Sequence, residues 1–259
     1  MDAQLHLSAA GAVATVTVSH PARRNAMTRA MWRRLPELLD RVAADPEIAV
    51  LVLTGAGDTF CAGADITDLR EVETGGPEDP RVLAVRAEEA LAAFPKPTLA
   101  VIRGHCVGGG CQLAVACDLR FAAEDARFGV TPARLGVVYP ASTTRRLAAL
   151  VGPATTKWLL YSGESMDGAR ALRTGLVDEL LPAEALDARV AAFTATLAAR
   201  SRLTQAAVKE FLAADADPAG LAAREAAWTR EADRVGETAE GVAAFLDRRA
   251  PRFPWPADS

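Results

Sequence analysis

The chain has no paired cysteine motif, no long basic run and no apolar stretch of membrane length. Each absence excludes something. The four cysteines, Cys61, Cys106, Cys111 and Cys117, include no C-x-x-C pair, and three of them crowd one predicted strand–helix unit. That is poor geometry for a disulfide framework and predicts buried thiols in a reducing cytosol. Net charge is −4, and the local basic clusters are "ARR" at 22–24 and "DRRAPR" at 247–252. A general nucleic-acid binder is therefore not expected, although two or three cations suffice for a phosphorylated small molecule. "MDAQLHLSAAGAVATVTV" has no basic segment ahead of an apolar core, so neither a secretory leader nor a membrane helix is expected. The expectation is a soluble, cytoplasmic protein. His6, His20 and His105 are too scattered to predict a metal site, and no ligand spacing supports one. There is no internal repeat, no G-x-G-x-x-G and no G-x-x-x-x-G-K-[ST].

What is present is ample core material. Half of the 259 residues are hydrophobic, enough for one large domain or two small ones. "AQLHLS" and "AVATVTVS" predict a hairpin. Thr28 is placed to cap a helix running to about Ala44, with Met31, Leu35, Leu38, Leu39 and Val42 at helical spacing. "IAVLVLTG" (48–55) predicts a buried strand. "AGDTFCAGADI" predicts a loop, "TDLREV" a short helix, 73–80 an aperiodic surface segment, and "RVLAVRAEEALAAF" a helix ended by Pro95. A strand at 98–103, a glycine loop, the helix "GCQLAVACD" and the strand "LRFAAE" follow. Strands alternating with helices are the α/β signature. From about Ser142 onward the pattern predicts helices alone, several amphipathic, and such a region often packs on another subunit.

Two stretches carry chemistry. In "GHCVGGGCQLA" (104–114) three glycines join a strand to a helix start. Unpaired N–H groups and the helix dipole there favour an oxyanion or a phosphate. The bland alternative is a tight turn whose glycines serve packing. "FCAGADI" (60–66) is a second small-residue loop whose N–H groups could face the first. Two donors from two loops are what a thioester enolate needs.

In order, "FCAGADI", "KPTLAVIRGHCVGGGCQLAVACDLRFAAEDARFG", "LG" and "GLVDELLP" resemble the crotonase superfamily, the enoyl-CoA hydratase/isomerase family. The resemblance runs from "HPARRNAM" to "EGVAAFLDRRAPRF". It implies an α/β spiral of β-β-α units over residues 1–195, then a helical trimerisation region over 196–259. It implies an acyl-CoA substrate, with no cofactor besides the coenzyme A of the substrate itself. Ala64 and Gly109 match the oxyanion-hole donors. Arg23, Arg24 and Ala26 match the part that meets the CoA phosphates and pantetheine. Ala62, Asp65 and Ile66 match the loop that holds the adenine. Phe245 and Arg248 match positions that reach a neighbour's CoA, so a homotrimer or a dimer of trimers is implied.

The chain departs from the family at both acid–base positions. Hydratases of this family use two glutamates; here Gln112 and Pro132 stand in their places. An amide accepts no proton usefully at neutral pH, and proline has no polar side chain. Thr131-Pro132 also reads simply as a helix start, with threonine as cap. "VTPARLGVVYP" resembles the family's malonyl-type decarboxylases, such as methylmalonyl-CoA decarboxylase. Loss of carbon dioxide needs no base, only a held enolate and a modest acid, for which Tyr139 is the candidate. The alternatives are a hydratase or isomerase with unorthodox acid–base groups (Asp68, Glu71 or a residue of 73–80) and a non-catalytic acyl-CoA binder. His105 is expected to be structural, Cys111 to pack, and Asp68, Arg70 and Glu71 either to line the acyl pocket or to face solvent.

Overall fold

The computed structural model describes residues 3–69, 76–213 and 218–255. The expected hairpin is β1 (Gln4–Ala10) and β2 (Val13–Ser19), antiparallel, with Ala10 opposite Val13. Ala14, Val16 and Val18 of β2 point into the core, as a period of two requires. β3 (Val50–Gly55) and β4 (Thr98–Ile102) join in parallel, and β4 is buried at every position. That is the mark of a strand covered on both faces. β5 (His105–Val107) leaves this sheet, and β6 (Leu119–Ala123) returns to it beside β4. β7 (Arg127–Gly129) pairs with β5 in parallel and with β8 (Met166–Asp167) antiparallel. β9 (Glu179–Leu181) closes the six-stranded sheet, ordered β1-β2-β3-β4-β6-β9.

β8 and β9 correct the expectation of helices alone after Ser142. Two and three residues are too few to show alternation, and pairing with distant strands makes them extended. β5 lies where the sequence suggested glycine loop, for the same reason.

α1 (Arg29–Ala44) starts at Thr28, whose hydroxyl accepts from the Met31 N–H, and buries the expected stripe plus Trp32. α2 (Pro80–Ala92) is capped by Asp79, and α3 (Gly109–Ala116) follows the glycine loop. Next come α4 (Pro132–Leu135) and α5 (Ala141–Ser162). α5 is broken at Gly152, where φ is 75° and Pro153 follows, so it is the two short helices that the sequence suggested. α6 (Gly168–Thr174) leads into β9, and α7 (Ala183–Ala198) packs on β3 and β6. α8 (Arg202–Ala213), α9 (Pro218–Val235) and α10 (Glu237–Leu246) complete the helical end. Leu212, Val242, Phe245 and Leu246 are exposed there. Among the described residues, no helix is long and apolar enough to cross a membrane.

Candidate active site

Close backbone packing brings the two small-residue loops together. A Cβ on Gly110 would stand 2.7 Å from the Cys61 Cβ and closer still to the Cys61 carbonyl oxygen. Only glycine lets the first turn of α3 press on the 61–66 loop. The contact continues as a short ladder. Cys61 N–H donates to the His105 carbonyl at 2.9 Å, and Val107 N–H donates to the Cys61 carbonyl at 3.0 Å.

The same loop is pinned on its other side. Met27 N–H donates to the Gly63 carbonyl, and Asp65 N–H donates to the Met27 carbonyl, each at 2.8 Å. This parallel bridge uses the neighbours of Ala64 and leaves the Ala64 N–H unused. Gly109 is the first residue of α3, so its N–H is one of the helix's orphan donors. Among the described residues neither N–H has an acceptor. A Cβ on Gly109 would lie 3.6 Å from the Ala64 nitrogen, and one on Gly63 would lie 3.4 Å from the Gly109 nitrogen. The two donors therefore border one spot, as an oxyanion hole requires.

That spot opens into a cleft of about 550 Å³. Its walls include Trp32 from α1, the 62–64 and 107–109 backbone, Gln112 from α3, Thr131-Pro132 and Tyr139. Gln112 is 8% exposed, and Pro132 is buried as the first residue of α4. So both positions without a carboxylate do face the reaction space. Thr131 stands at the N-cap of α4, but its side chain makes no capping bond, contrary to the simple helix-start reading. φ fixed by Pro132 is what starts this short helix.

Tyr139 is half-buried, and a Cβ on Gly108 would lie 3.9 Å from its hydroxyl. Burial pushes the phenol's pKa up, and Cys111 and Glu88 add to the shift. It therefore keeps its proton at neutral pH.

Glu88 was not singled out by the sequence. It lies on α2, is 1% exposed, and forms part of the cleft wall. The Thr143 hydroxyl donates to its Oε2 at 2.7 Å. Burial pushes its carboxyl up to about 7, against the pull of Thr143 and Arg146. A signal was available: residues 80, 83, 84, 87, 88 and 91 form one helical stripe, and Glu88 is its single charged member.

The remaining candidates separate into groups. Ala62 and Ile66 line the cleft, Ile66 being exposed. Arg23, Arg24, Ala26 and Asp65 gather at its edge: Ala62 N–H donates to the Arg24 carbonyl at 3.0 Å, and Arg23 lies 3.6 Å from Asp65. Burial opposes charge on Asp65, yet two bonds from Thr67 with the Arg23 and His20 charges hold its pKa below the usual range. Arg24 and Asn25 both have positive φ. The Asn25 amide locks this turn, accepting from the His20 N–H and donating to the Ala56 and Thr59 carbonyls. Phe245 and Arg248 do not line the cleft of their own chain.

Asp68 does not line it either. It accepts from the Arg29 N–H at 2.6 Å, at the start of α1. Arg70, Glu71 and 73–75 lie outside the described residues, whereas Glu78 pairs with Arg33 and Asp79 caps α2. His105 belongs to β5 and is absent from the wall, and all four cysteines are free and buried. Among the described residues, no group of three His, Cys, Asp or Glu side chains is placed to hold a metal ion.

Comparison with known proteins follows the same lines. Residues 8–255 match the family model described as enoyl-CoA hydratase/isomerase. The chain is 34% identical over 247 residues to the 2,3-dehydroadipyl-CoA hydratase of Escherichia coli, covering 93% of this chain and 94% of the relative. It is 31% identical over 252 residues to the crotonyl-CoA hydratase of Syntrophomonas wolfei, with the same coverages of 93% and 94%. The crystal structure of an enoyl-CoA hydratase/carnithine racemase from Magnetospirillum magneticum superposes with a TM-score of 0.90 at 35% identity, covering 98% of this chain and 96% of that one.

Proposed function

This chain belongs to the enoyl-CoA hydratase/isomerase family, and on that premise we propose that it acts through thioester enolates, foremost by decarboxylating a malonyl-CoA-type substrate. One observation carries the reading. Two free N–H donors border one spot, while Gln112 and Pro132 face it without a carboxylate. Such a site holds an enolate but has lost both groups that would add water. In decarboxylation the bond to the carboxylate breaks, carbon dioxide leaves, and the electron pair moves to the thioester oxygen. Each N–H donor there is worth about 2.7–4 kcal/mol. Tyr139, protonated and beside the glycine loop, is placed to return a proton. Arg134 lies on the cleft wall with no ion-pair partner among the described residues, a suitable counter-charge for an anionic acyl group. The reaction needs no cofactor beyond the CoA of the substrate. Arg23 and Arg24 at the cleft edge suit its phosphates. Assembly into trimers would bring Phe245 and Arg248 to a neighbour's CoA.

Glu88 favours a second reading, hydration or double-bond isomerisation, and the relatives named above carry hydratase names. One pair of assays separates them. The purified protein is given a panel of malonyl-type CoA thioesters, with carbon dioxide release measured, and then crotonyl-CoA, with loss of enoyl absorbance measured. Release without hydration supports decarboxylation. Fast hydration without release refutes it and selects the second reading. CoA binding with neither activity marks a non-catalytic binder.

A further inference from the structure

We infer that Glu88 is a second proton-transfer group of this cleft, beside Tyr139, exchanging a proton with the α-carbon of the thioester held between the Ala64 and Gly109 N–H groups. The inference rests on the acyl-CoA reading above but not on decarboxylation.

Three observations carry it. Glu88 is almost wholly buried, yet it belongs to the cleft wall that the oxyanion donors share. Thr143 engages Oε2, which orients the carboxyl and leaves Oε1 for the cleft. Among the described residues no cation pairs with it directly: Arg146, the cation acting on it, makes its 3.0 Å ion pair with Glu89 instead. A buried carboxyl without a paired cation is costly to keep for structure alone. Buried acids of this kind mark functional sites.

The chemistry balances in either direction. As carboxylate, Glu88 takes the α-proton, and the C–H electron pair moves into the thioester oxygen. As acid, it returns that proton to the α-carbon. After loss of carbon dioxide the proton comes from Tyr139, so Glu88 serves thioesters that keep their α-hydrogens. The groups facing it are Thr143 and Arg146 from α5, Glu89 on its own helix, Tyr139 from the loop before α5, and the Trp32 side of the cleft from α1. With its pKa pushed up to about 7, both forms are populated at neutral pH.

The test is solvent exchange at the α-carbon. Butyryl-CoA, which cannot decarboxylate, is incubated with the protein in deuterated buffer and followed by mass spectrometry. The wild-type protein should incorporate deuterium, at a rate rising as pH passes through about 7. Glu88→Gln should lower the rate at least about 100-fold, and Glu88→Asp should restore part of it. CoA affinity measured by calorimetry should stay within roughly threefold of wild type in both variants, showing that they are folded. Exchange by Glu88→Gln within about tenfold of wild type overturns the inference, as does no exchange by the wild-type protein. Glu88-dependent exchange without carbon dioxide release from the malonyl panel would refute decarboxylation alone and leave this assignment standing.

Discussion

Burial of Glu88 makes the stability of this protein fall as pH rises through neutrality. A glutamate ordinarily titrates near 4.5, and here burial pushes it up to about 7. The folded state therefore holds a proton that the unfolded chain has already released. Stability from this group is fully present below about pH 4.5 and is lost as pH rises through about 7. The gap of about 2.5 pH units, at about 1.4 kcal/mol each, amounts to about 3 kcal/mol. Glu88→Gln keeps the shape and still accepts from Thr143, but it carries no charge at any pH. The variant should match the wild type near pH 4.5 and exceed it by about 3 kcal/mol at pH 8. Urea unfolding at fixed protein concentration, repeated from pH 4.5 to 8, measures the difference. Other groups titrate in both proteins, so the difference isolates position 88. A difference that does not change with pH would refute the reasoning.

Four further outcomes are expected. Tyr139→Phe should slow carbon dioxide release at least about tenfold with CoA affinity unchanged, since it removes a donor and little shape; an unchanged rate would exclude Tyr139 as the acid. Gly110→Ala should lower the melting temperature by several degrees or abolish soluble expression, because its Cβ meets Cys61 backbone that has no room to yield, at an overpacking cost of about 1–3 kcal/mol. Asn25→Ala removes three hydrogen bonds and should cost about 2–4 kcal/mol in urea unfolding, with weaker CoA binding because the Arg23–Arg24 turn loosens. Burial pushes the Cys61 and Cys117 thiols up to about 12, so the native protein at pH 8 should resist iodoacetamide and react fully only when unfolded.

Much of the site was legible because its parts are local. Three consecutive glycines before an apolar helix predict N–H donors whatever surrounds them. The absence of a side-chain acid at Gln112 and Pro132 is a property of those residues alone. The stripe of α1 was equally readable, since six buried residues repeat with one period over sixteen residues. The meeting of the two loops was not legible in the same way. It depends on Gly110 touching Cys61, residues far apart in the chain, and on a bridge between Met27 and Ala64.

Sequence alone determined the long helices, the strands β1 to β4 and β6, the two donor loops and the missing glutamates, because each is set by residues near in the chain. Tertiary structure alone decided which charged residues face the cleft. Asp68 looked available and is bonded at the start of α1 instead. Glu88 and Glu89 are neighbours of identical chemistry, yet one is buried in the cleft wall and the other pairs with Arg146. The physical reason is that the stripe of α2 turns Glu88 inward but does not say what that face meets. Packing against α1, α3 and α5 decides that, and it puts a carboxyl group into a site whose own loops contain none.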